Sequence, residues 1–167
     1  MQFLAFDTDN NGKLDYVEWT VPHLSEQVFE IIFISKAFEL DNNKEIVGDI
    51  YDLVKAKDNQ WTTVPNGHYI RATFEKVLDN TKDNTVYAKP TQQGQTGQVE
   101  IYEKDSNNLI TLIENIDHEG LYKVLLTDLQ TPTDVFDLKI TGADLDVDWV
   151  VDPDDITPPA PSSFSPV

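Results

Sequence analysis

The middle of the chain alternates between apolar and polar positions. In "HYIRATFEKVL", Tyr69, Arg71, Thr73 and Glu75 interleave with Ile70, Ala72 and Phe74. In "QVEIYEK", Val99 and Ile101 take one side while Glu100 and Tyr102 take the other. A period of two puts successive side chains on opposite faces of a strand, one face toward a core. "QVFEIIFIS" is a more continuous apolar run, and "NTVYAK", "LITLIEN", "LYKVLLTDL", "DVFDLKITG" and "DLDVDWVV" add further β-rich segments. Clusters of Asn, Asp, Gly and Pro separate them, and "DSNN" reads as a hairpin turn leading into "LITLIEN". About eight short strands at fairly regular spacing predict an all-β protein, an antiparallel β-sandwich of immunoglobulin-like or jelly-roll type.

One stretch departs from this period. "KEIVGDIYDLVKAKD" sets Ile46, Ile50, Leu53 and Val54 at helical spacing. It predicts one short helix or helical turn on the sandwich edge. The chain then divides into three parts. Residues 1–24 form an acidic loop and its exit, 25–152 the β-sandwich domain, and 153–167 a Pro-rich linker. The last part, "PDDITPPAPSSFSPV", holds five of the nine prolines and lacks a pattern that could bury itself. A linker of this kind implies a larger modular parent.

Composition narrows the classes. At 40% hydrophobic residues over 167 positions, the chain can build a real core. Thirty acids against twelve bases leave a net charge of −18, and Arg71 is the sole arginine. Such a field repels phosphate backbones and attracts cations, so no nucleic-acid partner is expected. No apolar run approaches the roughly 18 residues of a membrane helix, so no membrane insertion is expected either. The absence of cysteine excludes disulfides, thiol catalysis and zinc ribbons. "MQFLAFD" lacks the basic region of a signal peptide, so an exported protein would carry its signal upstream.

The most specific motif is "DTDNNGKLDYVE", Asp7 to Glu18. Calcium takes six to eight hard oxygen ligands, and an EF-hand loop supplies them at positions 1, 3, 5, 7, 9 and 12. Those positions are Asp7, Asp9, Asn11, Lys13, Asp15 and Glu18, with Lys13 offering its backbone carbonyl. Gly12 falls at position 6, where the loop turns sharply. The competing reading is an acidic surface turn, but chance rarely fills six positions in register. Too few residues precede Asp7 for an entering helix, and Pro22 stops an exiting one. The expectation is therefore an isolated loop that stiffens a junction, with Ca2+ as its cofactor.

Other constellations carry less. Asp144, Asp146 and Asp148 alternate along one strand and could form a second metal site, although a solvated face with Leu145, Val147 and Trp149 turned inward is the simpler reading. Asp41, Asn43, Asp79 and Asp83 read as turn residues. Trp61 follows "DNQ" in a turn and is the best exposed candidate for stacking on a sugar, against a core role for the tryptophans generally. His23, His68 and His118 have no metal-ligand spacing. With thirty acids some pair of carboxylates is inevitable, so a glycosidase reading has no footing.

Three segments together carry a resemblance: "FDTDNNGKLDYVEWTVPHLSEQVFEI", "GDIYDLVKAKDNQW…GHYIRATFEK" and "YKVLLTDLQTPTDVFDLKI…VDP". They are similar to a module of large modular cell-surface proteins of archaea and uncultivated bacteria. In that module an acidic calcium-type loop ending in Glu-Trp leads through Val-Pro into a β-sandwich. The resemblance implies an extracellular, cell-surface, modular setting, with neighbouring domains or further copies as partners. The expected function is a non-catalytic, calcium-binding structural or adhesive module, including self-assembly into a surface layer, filament or tube. A carbohydrate-binding module, with glycans as partners, is the alternative, and a small hydrolase a weaker one.

Overall fold

The computed structural model describes residues 3–6, 16–19 and 31–153. Two short strands, β1 (Phe3–Phe6) and β2 (Tyr16–Trp19), pair antiparallel with Phe6 opposite Tyr16 and Phe3 opposite Trp19. The body follows: β3 (Ile31–Leu40), β4 (Ile46–Asp49), helix α1 (Tyr51–Val54), β5 (Thr62–Val64), β6 (Tyr69–Leu78) and β7 (Asp83–Pro90). It continues with β8 (Gly97–Glu103), β9 (Leu109–Ile116), β10 (Gly120–Leu125), β11 (Thr133–Thr141) and β12 (Leu145–Pro153).

All pairing is antiparallel, in the order β10-β7-β12-β3-β6-β11-β8-β9, with β4 added to β3 and β5 to β12. The end strands β9 and β10 meet, so the sheet is nearly closed into a barrel-like sandwich. Strand β3 makes the corner. Its first residues, Ile31–Phe33, pair with β12, and from Ile34 onward it pairs with β6. A register shift between Ile34 and Lys36 bends it there, as bulges do where a strand passes from one layer to the next.

In β6 and β8 the alternation read from sequence is the alternation observed. Ile70, Ala72 and Phe74 of β6, Val99 and Ile101 of β8, and Phe136, Leu138 and Ile140 of β11 all point into one core. Phe74 and Phe136 meet edge to face at 5.8 Å, the geometry that ring quadrupoles favour. "DSNN" does turn β8 into β9, with Ser106 N–H donating to Glu103 O and Asp105 at φ 59°.

Two expectations need correction. Ile46 is not helical: it begins β4, opposite Leu40, and is largely exposed. Only Tyr51–Val54 forms a helical turn, started by Asp49 Oδ1 accepting the Tyr51 N–H. Cross-strand pairing through Gly48 outcompetes a periodicity that rested on few residues. Asp83 is no turn residue either: it opens β7 and is buried, with Lys123 Nζ 2.9 Å from its carboxylate.

Candidate functional site

Asp7, Asp9, Asn11, Lys13 and Asp15 lie outside the described residues. Glu18, the sixth candidate ligand, is in β2 opposite Leu4. The backbone that enters the twelve-residue motif and the motif's own last residues, Tyr16–Glu18, thus form a two-stranded ladder, where a full EF-hand has helices.

Asp144, just before β12, and Asp146 and Asp148 within it do not act as a set. A bulge between Val147 and Trp149, against β7, breaks the predicted alternation. Asp148 is the extra residue and is fully buried, whereas Trp149 is only half-buried. This overturns the expected outward Asp148 and inward Trp149. Each carboxylate finds its own donor. Asp144 accepts the Asn66 N–H at 2.7 Å, and Asp146 accepts the Thr63 and Thr91 hydroxyls at 2.6 and 3.1 Å. Asp148 Oδ2 accepts the Asn59 N–H at 3.2 Å. Among the described residues no three His, Cys, Asp or Glu side chains converge as a metal site would require. Asp148 Oδ1 and the neighbouring Trp149 Nε1 are both buried without a hydrogen-bond partner among the described residues.

Trp61 is half-buried, and its ring packs on Tyr87 with centroids 5.3 Å apart. Lys89 Nζ stands 4.1 Å from the Trp61 ring centre and Lys57 Nζ 4.4 Å from that of Tyr87. Glu119 ties the cluster together by accepting the Tyr87 hydroxyl at 2.6 Å and facing Lys89 at 3.5 Å. That hydrogen bond raises the Tyr87 pKa and lowers that of Glu119. A sugar stacking on Trp61 would have to displace the Lys89 ammonium from one face of the ring.

Sequence reasoning missed the strongest electrostatic cluster. Arg71 of β6 and Asp137 of β11 are directly opposed. The Arg71 Nε meets Asp137 Oδ1 at 2.6 Å and an Nη meets Oδ2 at 2.8 Å, a bidentate pair. Asp137 is fully buried, accepts the Asp105 N–H at 2.9 Å and has Lys44 Nζ 3.6 Å away. Arg71 also donates to Asp105 at 2.6 Å. Asp137 holds the guanidinium above its ordinary range, and Arg71 holds the Asp105 carboxyl below its own. A lone arginine on an alternating strand was the available signal; its partner, 66 residues on, was not visible.

No family model matches the chain, and no curated protein is significantly similar to it.

Proposed function

We propose that this chain is a non-catalytic calcium-binding structural module of an extracellular surface protein. A sandwich of immunoglobulin-like or jelly-roll kind spaces its neighbours, and the Asp7–Glu18 loop stiffens the joint. The observation that carries this reading is the pairing of Phe6 with Tyr16. It clamps the base of residues 7–15, whose sequence fills five of the six ligand positions of a calcium loop, and the sixth, Glu18, follows two residues on in β2. The charge of −18 favours cation uptake further. Extracellular sites of this type bind with Kd on the order of 10⁻⁴–10⁻³ M. Sugar stacking on Trp61 has the weaker footing, because Lys89 sits against its ring.

The test is a terbium titration. Tyr16, between Asp15 and Glu18, and Trp19, next after Glu18, serve as sensitisers. Sensitised emission that saturates, that calcium displaces, and that Asp9→Ala with Glu18→Gln removes supports the reading. No emission at millimolar ion, or emission unchanged in that variant, refutes it.

A further inference from the structure

Two asparagines of the chain precede a glycine, Asn11 and Asn66, and Asn66–Gly67 lies among the described residues. Such a pair can react with itself. Glycine has no Cβ to obstruct the approach, so its backbone nitrogen can reach the side-chain Cγ of the asparagine before it. The N–Cγ bond forms, the proton on that nitrogen goes to the departing amide, and ammonia leaves. The product is a five-membered succinimide. One water then opens the ring at either carbonyl, giving aspartate or, with an extra methylene in the main chain, isoaspartate. No enzyme or cofactor is needed, but the glycine N–H must be free to give up its proton and the pair free to rotate.

Bulk does not shield this pair. Asn66 is exposed, and a Cβ built on Gly67 would meet nothing within 4 Å. Hydrogen bonds hold it instead. Asn66 and Gly67 are the central residues of the turn between β5 and β6, closed by the His68 N–H donating to Pro65 O at 3.0 Å. Gly67 takes φ 94°, a left-handed value that favours glycine. The Gly67 N–H, the group that would attack, donates to Ile140 O at 2.8 Å, and the Ile140 N–H donates back to His68 O at 2.9 Å. Ile140 is fully buried in β11, which fixes that acceptor. On the other side the Asn66 N–H donates to Asp144 Oδ1 at 2.7 Å. Both residues are thus pinned to the β11–β12 hairpin.

We propose that Asn66 is a site of spontaneous conversion to aspartate and isoaspartate, and that these two pinning bonds hold the reaction off in the folded chain. Conversion then proceeds only through openings that release the Gly67 N–H. It runs one way. Isoaspartate lengthens the main chain between the Asp144 anchor and the Ile140 anchor, so a chain converted while open does not restore both bonds on closing. The site therefore keeps a covalent record of unfolding. It stands apart from calcium, because every group it uses lies in the sandwich.

The test follows residue 66 by mass spectrometry in the full chain, incubated at mildly alkaline pH in buffer and in concentrated urea. Trypsin cuts after Lys13, Lys57 and Arg71, releasing residues 58–71 with Asn66 and 1–13 with Asn11. Fragmentation separates a change at Asn66 from one at Asn59, and a digest at zero time sets the background. In urea, where both pairs are unstructured, Asn66 should convert at a rate comparable to Asn11. In buffer it should convert at least about tenfold more slowly than in urea. Asp144→Ala removes one anchor and should raise the rate in buffer severalfold at unchanged far-UV dichroism. Equal rates in buffer and urea overturn the protection, and no conversion at Asn66 in urea overturns the site. An Asp144→Ala chain that folds yet converts no faster overturns the pinning; if that variant does not fold, the comparison of buffer with urea still decides.

Discussion

Replacing Arg71 with alanine isolates the electrostatic cluster on the outer face of β6 and β11. The change leaves Asp137, fully buried, without its bidentate partner. Removing one member of a buried ion pair costs about 3–5 kcal/mol, because an uncompensated charge is left behind. Here the loss is smaller. Lys44 Nζ remains 3.6 Å from Asp137 and the Asp105 N–H still donates to it. Arg71 itself is 17% accessible, so water can follow it out. The expected cost is therefore about 2–3 kcal/mol. Urea unfolding analysed by linear extrapolation measures it, as a lower midpoint at unchanged slope. Arg71→Met combined with Asp137→Leu should recover part of the loss, since no charge is then buried. A cost below about 1 kcal/mol would mean that the pair behaves as a surface salt bridge, and the reasoning would fail. A double variant less stable than Arg71→Ala would also refute it.

Other outcomes follow from particular contacts. A Cβ at Gly97 would lie 2.5 Å from Cδ2 of the fully buried Leu145, so Gly97→Ala should cost about 1–3 kcal/mol in the same urea assay. Asn84 is fully buried, and neither side-chain polar atom has a hydrogen-bond partner among the described residues, so Asn84→Leu should stabilise by about 1–2 kcal/mol in calorimetry. Burial, with Glu100 beside it, pushes the Tyr102 hydroxyl up to about 12, so its neutral form stabilises the fold below the ordinary tyrosine range near pH 10, and this contribution is lost as pH rises toward 12. Absorbance at alkaline pH should show a late-titrating component that Tyr102→Phe removes. The depressed carboxyl of Asp105 works in the opposite sense: its contribution is present above the usual carboxylate range near pH 4 and lost as pH falls through its lower native value. Melting curves between neutral and acid pH should therefore fall less steeply for Arg71→Ala than for the parent.

The all-β fold was legible wherever one face of a strand is buried and the other wet. Ile70, Ala72 and Phe74 are the clearest case, because a one-residue slip would turn all three outward. Sequence periodicity failed where tertiary pairing intervenes. Ile46 took its state from β3, and the bulge at Asp148 turned a predicted surface acid inward. Neither event leaves a local signal, since each depends on a strand far off in sequence. The calcium-loop pattern could be proposed from sequence because its candidate positions are contiguous, and residues 7–15 lie outside the described residues. The Arg71–Asp137 pair was not legible, because only the register brings its members together.

The most direct test of calcium as the joint's stiffener is thermal unfolding of the full chain in about 10 mM calcium and in chelator. Linkage at Kd on the order of 10⁻⁴–10⁻³ M predicts about 1.4–2.7 kcal/mol of added stability, a rise in Tm of roughly 3–10 °C for a chain of this length. Glu18→Gln should abolish the rise and leave the chelator curve unchanged. Equal melting in calcium and chelator, or a rise that survives in Glu18→Gln, would contradict the account.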